Sequence, residues 1–439
     1  MHSEKRRKVI SGLGASAVLS GAAPMIWVKS AQAQTTFKPE KGAKLRVLRW
    51  KRFVQADEDV WMANTKKFSE KYGIEVRTDH EGWEDVRPKA AVAANTGAGP
   101  DIILGTNDDA NLYPEKLLDV TDLAEYLGKK YGGWFSACEA YLRPDGKKWI
   151  GLALGAAGGM LVYRQSHVKA AGFDTFPKDT AGFLALLKAL HAKGTPAGMA
   201  LGNATGDGLW TNWLIWSHGG QLVDKSNKVV IDSAETIKAL EYAKEMYATF
   251  IPGTLSWLDP NNNKAFLDSQ ISLTNNGISI YYATKTSTDQ KVRDLREDIQ
   301  HAQFPIGPVG VPTESHLFFN QMIMKYTKYP NAAKEFLRFM MEAEQFDPWL
   351  TASGGYIAPP LAEYTKSAIW TSDPKHTPYR DCVKNMRPAG YAGRLGYASA
   401  GAGADFIVVN MVAEAASGAK TPKEAAERAQ KRAERYYKV

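Results

Sequence analysis

Aromatic rings set beside carboxylates and amides are the residues of this sequence whose types and spacing point most directly to chemistry. Trp50, Trp83, Trp210, Trp213 and Trp257 fall beside strand ends, loops or polar turns. A flat ring in such a place covers the apolar face of a pyranose while amides and carboxylates take its hydroxyls. Trp61, Trp149 and Trp349 sit in apolar periodic stretches and read as packing residues. Asn107 and Asp108 follow the apolar run Pro100-Asp101-Ile102-Ile103-Leu104-Gly105, a buried-type strand whose end should open on a cleft. Asp57-Glu58-Asp59 reads instead as an acidic helix start favoured by the helix dipole.

Bond-making chemistry finds little support. The sequence has no G-x-S-x-G elbow, no G-x-x-x-x-G-K-[ST] phosphate loop and no G-x-G-x-x-G after the first strand. The eight histidines are scattered, none paired at the i, i+4 spacing of a helical zinc site, so no metal and no cofactor is expected. An exported saccharide-acting enzyme, with Asp108 and Asp207 as acid and base across a cleft, is the alternative from a different class. Cys138 and Cys382 are the only cysteines, too few for a disulfide framework, and whether they pair is left open.

These residues need a frame to position them. Lys44–Trp50 reads as a strand, Asp57–Tyr72 as a helix closed by Gly73, Ile74–Arg77 as a strand, and Trp83–Asn95 as an alanine-rich helix before the run at Pro100. That β-α-β-α-β order builds an open parallel sheet with ligands beyond its carboxyl ends. From Gly151 a second α/β unit begins, with a strand at Met160–Tyr163 and helices at Thr180–His191 and Asn212–His218. Asp232 with Glu235, and Thr421 with Glu424, form capping patterns for two later helices.

The amino terminus reads as a cleaved export signal over residues 1–33: Arg6-Arg7 in a basic stretch, an apolar run from Val9 to Val28, then Ala31-Gln32-Ala33. The twin arginine points to the route that carries folded proteins, hence to the periplasm. Those residues hold five of the 55 basic and one of the 47 acidic side chains, which leaves the remainder at +4 with signs interspersed. No continuous basic stripe is available to a phosphate backbone, so nucleic acid is not an expected partner.

Collinear motifs over most of the chain resemble the extracellular solute-binding proteins that serve carbohydrate importers, the group that includes maltose-binding and related periplasmic proteins. Pro100–Gly105 is similar to the family's first-lobe strand and Leu117–Leu123 to its "L-x-D-L-T" segment. Gly146–Leu154, Leu161–Arg164, Lys169–Phe173 and Phe176-Pro177 are similar to the crossing into the second lobe. Asn276-Gly277, Pro330–Leu337 and Gly418–Ala425 keep the family's order. Two departures stand out: Leu154 replaces a common proline, and Ile278-Ser279-Ile280 stand where many sugar binders carry tryptophan, with Tyr281 and Tyr282 as substitutes.

The resemblance implies an α/β, two-lobed periplasmic-binding-protein fold, each lobe a mainly parallel sheet flanked by helices, with the ligand cleft between lobes that close like a hinged trap. It implies a first lobe at 42–153 plus 302–345 and a second at 154–301 plus 346–439. Expected partners are a small carbohydrate or polyol and the permease subunits of an ABC importer, the protein itself being a monomer. Trp50, Arg52, Trp83, Asn107 and Asp108 are expected on one jaw; Asp207, Trp210, Asn276, Tyr356 and Arg394 on the other; Trp213 and Trp257 complete the candidate ligand contacts. Arg52 and Arg394 leave an anionic ligand, such as a phosphorylated polyol, open.

Overall fold

The computed structural model describes residues 37–438, so the expected export signal lies outside the described residues. β1 (Lys44–Trp50) is followed by the helix Gln55–Tyr72, which turns its Trp61, Asn64 and Phe68 inward. Gly73 ends that helix at φ 67°, a left-handed conformation that costs glycine nothing, and its N–H caps the Ser69 carbonyl. β2 (Glu75–Glu81), the helix Trp83–Thr96 and β3 (Ile102–Thr106) follow. β1 lies between β2 and β3 and is parallel to both, as the local β-α-β-α-β pattern requires.

Beyond this point the sheets depart from the expectation. β4 (Leu152–Ala157) and β8 (Leu317–Ile323) complete a five-stranded sheet of order β2-β1-β3-β8-β4, and β8 runs antiparallel to both neighbours. β5 (Met160–Arg164), β6 (Leu273–Asn276) and β7 (Ile299–Ala302) form a second sheet, order β6-β5-β7, that is antiparallel throughout. The sheets are therefore mixed in one lobe and antiparallel in the other, not mainly parallel in each. The cause is that β6, β7 and β8 reach their partners from more than a hundred residues away, where no local crossover rule sets direction.

One core surrounds the five-stranded sheet and another holds Phe183, Leu187, Trp213, Leu240 and Val412 against the second sheet. The first core also takes in Met160, Val162 and Ile299 of the second sheet, and the stretch 346–439 contributes to both. Phe346, Trp349, Tyr364, Trp370 and Val383 pack with the first core, whereas Ile407, Val412, Ala425 and Ala433 pack with the second. Helix caps follow the sequence in one case and shift in the other. Thr421 and Glu424 form the expected reciprocal box, but Ser233, not Asp232, accepts from the Thr236 N–H at 3.2 Å. Cys138 and Cys382 are both buried free thiols. Among the described residues no helix is long and apolar enough to cross a membrane.

Candidate functional site

A cleft of about 580 Å³, counting the space open to solvent, lies where the strand ends of the two sheets meet. One wall is aromatic. Trp83 opens the helix after β2 and its ring stacks on Trp50 at 5.0 Å and 11°; Trp50 in turn stacks on Phe319 at 4.7 Å. Phe53, 5.8 Å from Trp83, extends this surface into the cleft lining. Tyr356 is delivered by Gly354 and Gly355, both at positive φ, and by a close backbone approach at Gly155. A Cβ on Gly155 would lie 2.2 Å from the Ala358 carbonyl, so only glycine lets Ala156 and Ala358 exchange their two backbone hydrogen bonds there.

The facing wall is polar and hydrogen-bonded to itself. Asp259 begins the helix Asp259–Leu267, and its carboxylate accepts from the backbone N–H groups of Thr205 (2.9 Å), Gly206 (2.8 Å) and Asp207 (2.8 Å). That contact fixes the turn carrying Asp207 and, beyond it, Trp210, whose indole N–H donates to the Ala200 carbonyl at 2.8 Å. Asn263 donates to Ser279 Oγ at 2.9 Å, Ser279 donates to Asn276 Oδ1 at 2.9 Å, and Asn276 donates back to Asn263 Oδ1. Asn275 donates to the Asp207 carbonyl at 3.2 Å. The lining is completed by Ala157, Leu209, Ser315, Phe304, Leu317 and the glycines at 158, 159, 206 and 277.

Burial, then the neighbouring Asp259, push the Asp207 carboxyl well above the usual carboxylate range. Burial raises Asp259 too, while its three backbone donors pull it back. Burial, and then the carboxylates of Asp57, Asp259 and Asp207, hold the Tyr356 phenol well above its ordinary value, so it stays a hydrogen-bond donor. The wall residues thus offer aromatic faces on one side and a fixed set of amide, hydroxyl and carboxyl groups on the other. Such an arrangement can grip a small polyhydroxylated molecule without making or breaking a bond.

Of the expected ligand contacts, Trp83, Asp207, Trp210, Asn276 and Tyr356 meet in this cleft. The other seven do not line it. Trp50 is fully buried behind Trp83 and acts as its support. Arg52 points to solvent and pairs with Glu58 at 3.2 Å. Asn107 takes a positive φ of 45° and locks its loop to β8, donating its N–H to the Phe318 carbonyl at 2.7 Å. Asp108 turns away from the cleft and accepts from Ser399 Oγ at 2.7 Å. The acid–base pair of the enzyme alternative, Asp108 with Asp207, is therefore not assembled across the cleft. Trp213 is core, its indole donating to the Pro305 carbonyl at 2.9 Å. Trp257 lies over Gly198, where a Cβ would come within 2.7 Å of its ring, and Arg394 is held by its backbone N–H to Asn227 Oδ1 at 2.8 Å, away from the cleft lining.

Tyr281 and Tyr282 do not supply the missing aromatic surface either; the Tyr281 hydroxyl donates to Asp373 at 2.7 Å outside the cleft. The sequence reading missed Phe53, Asp259, Asn263, Asn275, Ser279, Phe304 and Ser315. The run Asp259-Pro260-Asn261-Asn262-Asn263 carried a signal, since so many amides at a helix start exceed what capping needs.

A family profile described as bacterial extracellular solute-binding protein matches residues 63–378. YcjN of Escherichia coli (strain K12), which bears the name ABC transporter periplasmic-binding protein, is 23% identical over 314 residues, covering 68% of each chain. The fold is similar to a sugar transporter component from Arthrobacter chlorophenolicus A6 solved with bound laminaribiose, with a TM-score of 0.76, 18% identity, and coverage of 90% of this chain and 99% of that one. It is also similar to an ABC transporter solute-binding protein from Agrobacterium radiobacter K84 in complex with ribitol, with a TM-score of 0.74, 16% identity, and coverage of 91% and 100%. With a two-lobed frame, a lined cleft and a profile spanning well over half its length, the chain belongs to the bacterial extracellular solute-binding proteins, a transport family and not one of enzymes.

Proposed function

We propose that the protein is the periplasmic ligand-capturing component of an ABC importer and that its cargo is a sugar or related polyol, held in the cleft and handed to the permease subunits. One observation carries this reading: aromatic faces at Trp83, Phe53 and Tyr356 stand opposite the hydroxyl-matching groups Asp207, Asn263, Asn276 and Ser279 in one cleft. Laminaribiose and ribitol, the ligands named for two neighbours of this fold, belong to that chemical class. Closure would occur about the connections between the sheets, at Gly158-Gly159 between β4 and β5, at 303–316 between β7 and β8, and along 386–396. The protein acts as a monomer, without cofactor, after export through the twin-arginine route. Replacing Arg6 and Arg7 by lysine should hold it in the cytoplasm.

A thermal-shift screen of the purified protein tests the reading, because a ligand that binds only the folded state raises its melting temperature. The panel is monosaccharides, disaccharides, polyols, their phosphates and amino acids. A rise confined to sugars or polyols is expected. A rise with amino acids alone, or turnover of a chromogenic glycoside, would contradict it.

A further inference from the structure

We propose that the cleft also selects its ligand by charge: it favours a polyhydroxylated molecule bearing an amine over its neutral counterpart and excludes the phosphate- or carboxylate-bearing one, with Asp207 as the specificity-determining group. This rests on the cleft being the ligand site. Among the described residues its lining holds two acids, Asp207 and Asp259, and no lysine, arginine or histidine. A third carboxylate, Glu84 on the first turn of the Trp83 helix, is close enough to push Asp259 up.

The cations that might have balanced these acids are engaged elsewhere. Arg49 is bound to Asp57 at 2.5 Å, Arg52 to Glu58 at 3.2 Å and Arg87 to Asp109 at 2.6 Å, while Arg394 does not reach the cleft. The phosphorylated polyol that the two arginines left open therefore loses its counter-charge. An anion closed into this site would be buried against carboxylates, which is among the costliest arrangements a protein can make.

The two aspartates differ in what they have left to give. Asp259 is occupied by three backbone N–H groups of 205–207. Asp207 has no such set of backbone donors; the Asn262 amide nearby, which donates to the Asn275 carbonyl at 2.8 Å, draws its carboxyl back only in part, and the carboxyl keeps acceptor capacity for the cleft. An ammonium placed there draws the raised Asp207 carboxyl back to its ionised form and gains a charge-assisted hydrogen bond, stronger than the one a hydroxyl makes. Tyr356 and the Asn263–Asn276–Ser279 triad are uncharged and serve either ligand.

The test is calorimetric titration with matched triplets: D-glucose, D-glucosamine and D-glucose 6-phosphate; D-galactose, D-galactosamine and D-galacturonate; D-glucitol, D-glucamine and D-glucitol 6-phosphate. Within any series that binds, the amine should bind about tenfold tighter than the neutral member and the anion at least about a hundredfold weaker. Asp207→Asn should bring the amine-to-neutral ratio to about one. An anion binding tightest, or a ratio untouched by Asp207→Asn, overturns the proposal. If neither these series nor the disaccharides of the thermal-shift panel bind, the sugar reading itself fails, and the charge rule is then judged on the empty protein. Because burial raises the Asp207 carboxyl, its favourable contribution is present at low pH and lost as pH rises through its folded value. Asp207→Asn should therefore raise the melting temperature at about pH 8 and not at about pH 4. No difference at the higher pH would show the cleft carries no uncompensated acid and would overturn the proposal on its own.

Discussion

Two pairs of groups, one buried behind the aromatic wall and one in the polar wall of the cleft, show how differently this fold treats its acids. Asp57 is wholly buried with Arg49 at 2.5 Å; the guanidinium lies over the rings of Trp50 (5.0 Å) and Trp61 (4.9 Å), and the Trp349 indole N–H reaches the carboxylate at 3.1 Å. Burial pushes that carboxyl up and Arg49 pulls it back. Asp207, partly buried, and Asp259, buried, are neighbouring acids with no cation in the lining among the described residues, and backbone N–H groups answer Asp259 alone. The compensated acid holds Trp50, and through it Trp83, in place. The uncompensated ones leave capacity for a ligand. Sequestered acid therefore marks scaffold where its charge is matched and site where it is not.

The largest effect should come from breaking the matched pair. Asp57→Ala leaves Arg49 charged in the core and should lower stability by about 3–5 kcal/mol in urea unfolding. A loss under about 1 kcal/mol would mean the pair is not compensated as described. Next, Trp83→Ala removes the ring facing the ligand, and calorimetry should show affinity weakened by about 2–3 kcal/mol with the fold intact by circular dichroism.

Asp108 offers an intermediate case: buried, bonded to Ser399 Oγ, and pushed up to about 6 by burial despite that bond. Its folded value lies above its unfolded one, so its contribution is full below about pH 4 and fades as pH rises through about 6. Asp108→Asn should remove about 3 kcal/mol of that slope, read from melting temperatures across the interval. The smallest effect is expected where charges face solvent. Lys188 and Glu245 pair at 2.7 Å with both side chains more than half exposed, and Lys188→Ala should change stability by less than about 0.5 kcal/mol.

Legibility in the sequence follows the distance over which each feature is decided. β1 to β3 and the helices between them were readable because apolar periodicity and Gly73 act within a few residues. The antiparallel placement of β6, β7 and β8 was not, since a four-residue strand such as Leu273–Asn276 carries no mark of the partner it will meet. Of the cleft lining, Asn276 was expected from the family resemblance and Trp83 from its position beside an element end. Asp108 had the same credentials, yet the left-handed Asn107 turns the chain so that its carboxyl meets the helix at Ser399. Asp259 and Asn263 were hidden because a helix start explains an acid and amides equally well until the backbone of 205–207 is brought against them.

The most direct test of the central claim is a crystal structure of the protein grown with the sugar or polyol that gives the largest thermal shift. Ligand density against the rings of Trp83 and Tyr356, with hydroxyls on Asp207 and Asn276, is the expected result. Density seated elsewhere, with this cleft left empty, would contradict the assignment of the cleft and the reading of its unmatched acids together.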